Sequence, residues 1–308
     1  MLLAPIGVAV FAFSLIIGHF ISEPLRLLAK RTAAYRAGAD VPFEPDGRLF
    51  EADELTADFK GLVQTMKAQQ HDLALKERRQ AAFISDVAHE LRTPLTAIRG
   101  NAEMLEDPDL PPELHEKFCG IIINESERLS RLTHDLLTLQ RIEDDAAPME
   151  LARVNLRELS AGVLDALEPI LRDRQAHTEI VGEAPDVLGN LDRLKQAVTN
   201  LVENASRFIA PGGHIVIELF GLKGSSILAV KDDGCGFGDV DPKLLFDRFY
   251  RTDASRSRGT GGTGLGLAIV KSVVEAHDGT VEALNLPSGG ACFIIALPSI
   301  PADTAPRA

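Results

Sequence analysis

The sequence predicts a multi-domain protein. An N-terminal membrane helix leads into a helical relay, then an antiparallel helical hairpin that pairs with a second copy as a dimeric four-helix bundle, then a C-terminal α/β sandwich. Three observations predict it. The 308 residues exceed the roughly 100 to 200 expected of one domain. No charge precedes Glu23, and Leu2 to Ile21 is almost wholly apolar. Apolar residues then recur at helical spacing as far as about Asp145, after which helical periods alternate with strand-like runs. Composition removes other classes. With 45% hydrophobic and 25% charged residues the chain is not a disordered tail, a collagen or a polytopic membrane protein. Acidic residues outnumber basic ones by 45 to 32, a net charge of -13, which argues against a grip on nucleic-acid phosphates, so no nucleic-acid partner is expected. Aromatic residues are 5% with no tryptophan, which weakens any base-stacking surface. Cys119, Cys235 and Cys292 are odd in number and far apart, a pattern of free thiols in a reducing compartment rather than of disulfides or zinc ligands.

Residues 1–21 read as the membrane helix, since twenty residues at about 1.5 Å each span about 30 Å, the thickness of a bilayer's hydrocarbon core. A cleaved signal peptide would need a basic start and a small-residue cleavage site, and neither is present. Arg26, Lys30, Arg31 and Arg36 follow the apolar stretch, and that asymmetry places the rest of the chain in the cytoplasm. Residues 22–70 form helix, connector, helix: Leu25, Leu28 and Tyr35 mark the first stripe, Ala37 to Arg48 the connector, and Leu55, Phe59, Leu62 and Met66 the second stripe. Pro24 stands just inside a helix start, where its missing amide costs little. Stripes this narrow are best buried against those of a second chain. Residues 71–145 give the hairpin. Phe83 or Ile84, Val87, Leu91, Leu95 and Ile98 form one face, and Phe118, Ile122, Leu129, Leu132, Leu136 and Leu139 the other, on either side of the breaker Asp107 to Pro112. Pro94 should kink its helix without ending it. In residues 150–299, helical periods fall at Leu156 to Arg172, Leu191 to Phe208 and Gly264 to His277. Strands are expected at Thr178 to Val181, His214 to Leu219, Ile227 to Val230, Thr280 to Leu284 and Ala291 to Leu297. Residues 300–308 read as a disordered tail.

The chemistry lies in three places. His89 is about 200° around its helix from Val87 and from Leu91, so it points to solvent. An exposed histidine is usually only a polar surface residue, but Glu90 beside it can take a ring proton and leave the other nitrogen nucleophilic. Asp232-Asp233-Gly234-Cys235-Gly236 follows a strand-like run, and the glycine-rich Gly259 to Leu267 runs into a helix, where backbone amides and a helix N-terminus can meet phosphates. Neither fits the dinucleotide fingerprint or a Walker loop, and one glycine-rich loop alone is weak evidence. Asn200, Asn204 and Arg207 share one flank of an amphipathic helix. Such a flank is more often plain surface, yet amides can ligate Mg²⁺ and a guanidinium can hold phosphate.

Taken in order, these boxes resemble those of bacterial two-component sensor histidine kinases. The box around His89, Asn200 to Phe208, Asp232-x-Gly234-x-Gly236, Leu245 to Arg251 and Gly262 to Leu267 are similar to the family's H, N, G1, F and G2 boxes. Ile21-Ser22-Glu23-Pro24-Leu25 resembles the opening of a HAMP relay. The resemblance implies a HisKA-type dimerisation hairpin and a Bergerat (GHKL) ATP domain. It implies that His89 is the phosphoacceptor, with Glu90 its acid/base neighbour. Asn204 would hold the Mg²⁺ that bridges ATP's phosphates, supported by Asn200, with Arg207 near phosphate and Phe208 closing that box. Asp232 would accept a hydrogen bond from the adenine amino group while Gly234 and Gly236 let the backbone approach the base. Gly264 and Gly266, within Gly262, Thr263, Gly264, Leu265, Gly266 and Leu267, would offer amides to the phosphates. Residues 239–262 would be a mobile lid, Arg251 would reach the γ-phosphate, and Glu90 with Thr93 fits a phosphatase motif in which Thr93 orients water. The implied partners are a second copy, a response-regulator receiver domain and, through the N-terminal helix, the bacterial inner membrane. Members usually carry two membrane helices around an external sensor, whereas this chain begins inside what reads as the second. It is then a shortened member, a truncated frame, or a protein sensing within the membrane or through a partner. Ala88, and Ala291 where threonine is common, are mild departures. Two other readings stand beside this one: an ATP-binding scaffold or phosphatase-dominant regulator, and a gyrase- or mismatch-repair-type ATPase that would not need His89.

Overall fold

A computed structural model describes residues 3–45, 47, 50–143, 149–252 and 262–300. Part of the expected lid, residues 253–261, and the expected tail from 301 onward lie outside the described residues. The chain divides into two units, residues 1–87 and 88–308.

The first unit opens with α1 (Leu3–Ile17), which passes through a wide π-turn at Gly18–Ser22 into α2 (Glu23–Arg36). The expected apolar helix is thus divided: α1 has 15 residues, and among the described residues no helix is long and apolar enough to cross a membrane. A connector follows, then the start of α3 (Phe50–Met104). Two stripes expected to want a second chain are partly satisfied within one chain. Phe43 of the connector is buried with Leu28 of α2 and Val63 of α3, and Tyr35 and Phe59 pack against them. The Phe43 ring lies 6.1 Å from that of Tyr35 and 6.2 Å from that of Phe59. Leu25, Leu55, Leu62 and Met66 remain exposed. The second relay helix and the first hairpin helix, expected as separate elements, are one helix of 55 residues. The only glycines in it are Gly61 and Gly100 and its only proline is Pro94, and none of the three stops it.

The second unit takes in the rest of α3, then α4 (Pro112–Glu143) after the expected breaker. Leu132 and Leu139 are buried and Leu91, Ile98, Phe118, Ile122, Leu129 and Leu136 half-buried, as their stripes require. Leu95, placed on the inner stripe by its spacing, is 54% exposed. The α/β part follows as β1 (Ala152–Val154), α5 (Leu156–Ala166), α6 (Glu168–Asp173), β2 (His177–Gly182), β3 (Val187–Gly189), α7 (Leu191–Phe208), β4 (His214–Leu222), β5 (Ser225–Asp232), a 3₁₀ turn Pro242–Phe246, α8 (Gly266–Glu275), β6 (Thr280–Asn285) and β7 (Ala291–Pro298). A single helical period expected from Leu156 to Arg172 is broken at Leu167 because Pro169 has no amide to continue it.

Five strands form one sheet in the order β2-β4-β5-β7-β6, with β2 parallel to β4 and the other pairs antiparallel, while β1 and β3 pair separately. Register puts Ile215, Ile217 and Leu219 of β4 opposite Asp232, Val230 and Leu228 of β5. These six residues share one face because side chains alternate along a strand. Five of them are apolar, each at most 1% exposed beneath α5 and α7. Asp232 is the last residue on that face, so the alternation that builds the core also carries a carboxylate to its edge.

Candidate functional site

At that edge lies a cavity of about 550 Å³. Helix α7 forms one wall. Its start is capped by Asn190, whose side chain accepts from the Arg193 amide, and its apolar face, including Ala197, Val198, Leu201 and Ala205, is buried. The opposite flank presents Asn200, Asn204, Arg207 and Phe208 to the cavity. Asn200 donates through Nδ2 to the Gly266 carbonyl at 3.2 Å, which ties α7 to the start of α8. Arg207 is held by Glu203 at 3.1 Å.

Asp232 forms the floor and is 5% exposed. Its Oδ1 accepts from the amides of Gly234 at 2.9 Å and Ala291 at 3.2 Å. Burial pushes its carboxyl above the usual range, and the two amides partly offset that. Because both amides converge on one oxygen, the other keeps its acceptor capacity for a ligand. Gly290, at φ +94°, makes this close approach possible, since a Cβ there would fall 1.9 Å from the Asp232 carbonyl oxygen. Gly236 lines the cavity, while Gly234 lies outside its lining.

The third wall is the glycine-rich segment and the start of α8, with Gly262, Thr263, Gly264, Gly266, Leu267 and, from the preceding loop, Arg251. Leu265 lies beneath as a fully buried core residue. Two kinds of glycine are distinguishable. Gly264 is fixed by the fold, with φ +73° and a hypothetical Cβ 2.8 Å from the Phe249 Cα. At Gly262 and Gly266 the first protein atoms a Cβ would meet are 3.5 Å and 3.8 Å away, so packing does not demand glycine. A side chain there would fill the cavity instead, as expected where a backbone must approach a ligand.

His89, Glu90 and Thr93 are outside the cavity lining. His89 is exposed, as its helical angle predicts. Glu90 is paired to Arg128 of α4 at 3.3 Å, and the Thr93 hydroxyl rests on the His89 carbonyl at 3.4 Å. Pro94 supplies no amide to the Glu90 carbonyl one turn back, so the helix carries a local defect beside the histidine.

The sequence matches two family models. Residues 79–145 match the His Kinase A phospho-acceptor domain, and residues 189–301 the histidine kinase-, DNA gyrase B- and HSP90-like ATPase. Over 244 residues the chain is 41% identical to the sensor protein SphS of Synechococcus elongatus, covering 76% of this chain and 57% of SphS. The chain belongs to the two-component sensor histidine kinases. It spans about half the length of the curated relatives it matches. Among solved kinases, Acinetobacter baumannii histidine kinase AdeS superposes with a TM-score of 0.54 at 26% identity, over 69% of this chain and 98% of that one. Histidine kinase ThkA, solved in complex with response regulator protein TrrA, shares the fold with a TM-score of 0.60 at 24% identity, over 78% of this chain and 67% of that one.

In this sensor histidine kinase the cavity has a wall that the motifs do not announce. Ser130, Arg131, His134 and Asp135 of α4 line it. Thr263 donates from Oγ1 to Asp135 Oδ2 at 2.7 Å across 128 residues of sequence. Arg193 of α7 donates to the Arg141 carbonyl near the end of α4 at 3.4 Å. Burial raises the Asp135 carboxyl above its ordinary range, against the Thr263 hydrogen bond and the charges of His134, Arg207 and Arg131. Periodicity could show only that these α4 residues leave the apolar stripe. Glu203 sat inside a recognised box, and its pairing with Arg207 at i,i+4 was the one signal available.

Proposed function

We propose that the chain autophosphorylates His89 from Mg-ATP and passes the phosphoryl group to an aspartate of a response-regulator receiver domain, acting as a homodimer. The observation that carries this reading is the coexistence in one chain of an exposed His89 with an acid neighbour and a cavity whose polar groups sort into a base end and a phosphate end. Asp232, with one oxygen held by amides, suits an amino group on a purine. Gly262, Gly266 and the first turn of α8 suit phosphates, with Arg207 and Arg251 as counter-charges. Among the described residues no cluster of acidic, histidine and cysteine side chains could hold a metal unaided. That fits Mg²⁺ held mainly by substrate phosphates, with Asn204 as a protein ligand; the ion would neutralise charge on the transferred group. A His89 ring nitrogen bonds to the γ-phosphorus, ADP departs, and the ring proton passes to Glu90. Because His89 does not line the cavity, turnover requires the ATP domain to move relative to α3. Glu90 and Thr93, one turn apart at the ends of a helical step, support a phosphatase activity on the same regulator.

We read residues 1–21 as the anchor in the inner membrane, with residues 22–70 as a HAMP-like relay, residues 71–145 as the dimerisation and phosphotransfer hairpin and residues 150–299 as the cytoplasmic ATP domain. Support for the anchor comes from α1, where Ile6, Val8, Val10, Phe11, Phe13 and Leu15 are each at least 58% exposed, an apolar surface on every side. The Phe43-centred packing supports the relay.

The test is to incubate the purified chain with Mg²⁺ and γ-labelled ATP and then challenge it with a panel of receiver domains. Label on the chain that moves to a receiver aspartate is expected. Nucleotide bound without label would instead identify a scaffold, and phosphate release indifferent to His89→Ala would identify a free-standing ATPase.

A further inference from the structure

The geometry points to Asp135 as a built-in competitor for the nucleotide's terminal phosphate, a carboxylate that occupies the phosphate end of the cavity whenever α4 is docked there. This rests on the nucleotide reading of the cavity and names a regulator of that site. The Leu265 amide donates to Thr263 Oγ1 at 3.3 Å, which leaves the hydroxyl proton to point at Asp135 Oδ2, 2.7 Å away. Asp135 therefore receives the bond as an anionic acceptor would. Arg131 and Arg207 lie close enough to act on its charge, and both line the same cavity. One hydroxyl bonded to the carboxylate, with two guanidiniums lining the same cavity beside Gly262 and the start of α8, is the environment a phosphate would meet. Glycines that a side chain would not crowd mark the same corner as a place for a ligand.

Two anions cannot share that corner without strong repulsion in a partly buried site. A triphosphate must therefore displace Asp135 from Thr263, which loosens α4 from the glycine-rich segment. The same separation frees the ATP domain to seek His89. Substrate binding and release of the domain are then one event, and Asp135 suppresses transfer until a nucleotide with a third phosphate is present.

Affinities of the full chain for ADP and for a non-hydrolysable ATP analogue, both with Mg²⁺, test this in wild type, Asp135→Asn and Asp135→Ala. Both variants should bind the triphosphate about 3- to 10-fold more tightly and ADP by less than about 2-fold. Unchanged or weaker triphosphate binding would overturn the inference, and so would an equal gain for ADP, which would show a general loosening of the docked helix. Arg193→Ala, which removes the hydrogen bond from α7 to the Arg141 carbonyl of α4, calibrates such loosening and should tighten both nucleotides alike. Wild type that binds neither nucleotide would overturn the reading of the cavity itself, a different failure. Unchanged thermal melting of Asp135→Asn would separate these effects from misfolding.

Discussion

Under the proposed nucleotide reading, Asp232 sets stability against function in one side chain. Its carboxyl is raised by burial, so its ionised form at neutral pH is a cost to the fold: a raised carboxyl favours folding at low pH and loses that advantage as pH rises through the folded value. Asp232→Asn should leave the melting temperature at pH 7 unchanged or higher, yet weaken ATP binding about 10- to 100-fold by removing a charged acceptor. Calorimetry and a nucleotide titration check both halves. The two kinds of glycine give a second contrast. Gly264→Ala should destabilise the fold by about 1–3 kcal/mol because it forces a Cβ into Phe249 at a positive φ. Gly266→Ala should change stability by no more than about 0.5 kcal/mol while weakening nucleotide binding. That Asn204, Asp232, Gly236, Gly262, Gly264 and Gly266 meet at one cavity was legible because each stands in a short stretch of chemically distinctive residues. Asp135 was not, because its partner Thr263 is 128 positions away and no local pattern encodes the pairing.

Helices α7 and α8 hold the cavity, and a buried histidine pins them together. His277, just past α8, accepts from the Asn190 amide through Nε2 at 2.9 Å, and its Nδ1 lies 2.7 Å from the Val273 carbonyl, so the ring is neutral with its proton on Nδ1. Burial lowers its pKa. A lowered histidine contributes stability above its unfolded value near 6.5, and that contribution is lost as pH falls through the folded value. The melting temperature should therefore drop more steeply below about pH 6.5 in wild type than in His277→Gln. Helix α7 was legible to the residue, since Asn190 caps a strongly amphipathic run. The five strands of the main sheet were found, with the starts at His214, Thr280 and Ala291 exact and the other ends off by one to three residues. Strands β1 and β3, three residues each, are too short to carry a period and are defined only by pairing with each other. The fusion of two expected helices into α3 was missed because a polar stretch with no apolar stripe looks like a gap between elements, although it contains nothing that breaks a helix.

At the scale of the whole molecule, the proposed reaction requires two separated sites, His89 and the cavity, to meet. Leu95 on α3 and Ile123 and Leu137 on α4 are each more than half exposed, apolar residues on helices that the inner stripe does not bury. A second hairpin would cover them, and Ile123→Glu should shift the purified protein from dimer towards monomer in light scattering. The helical hairpin and the α/β ATPase domain were legible because composition and period change where one gives way to the other. The state of docking was not, because it depends on contacts such as Arg193 to Arg141 and Thr263 to Asp135 that join distant segments. Under the proposed function, signalling needs only to bias how often the cavity reaches His89. The most direct measurement is the position of the phosphoryl group after incubation with Mg²⁺ and γ-labelled ATP. The account predicts an acid-labile, alkali-stable label on the wild-type chain that disappears in His89→Ala. A label that persists in His89→Ala, or a nucleotide-bound wild-type chain that never acquires one, would contradict it.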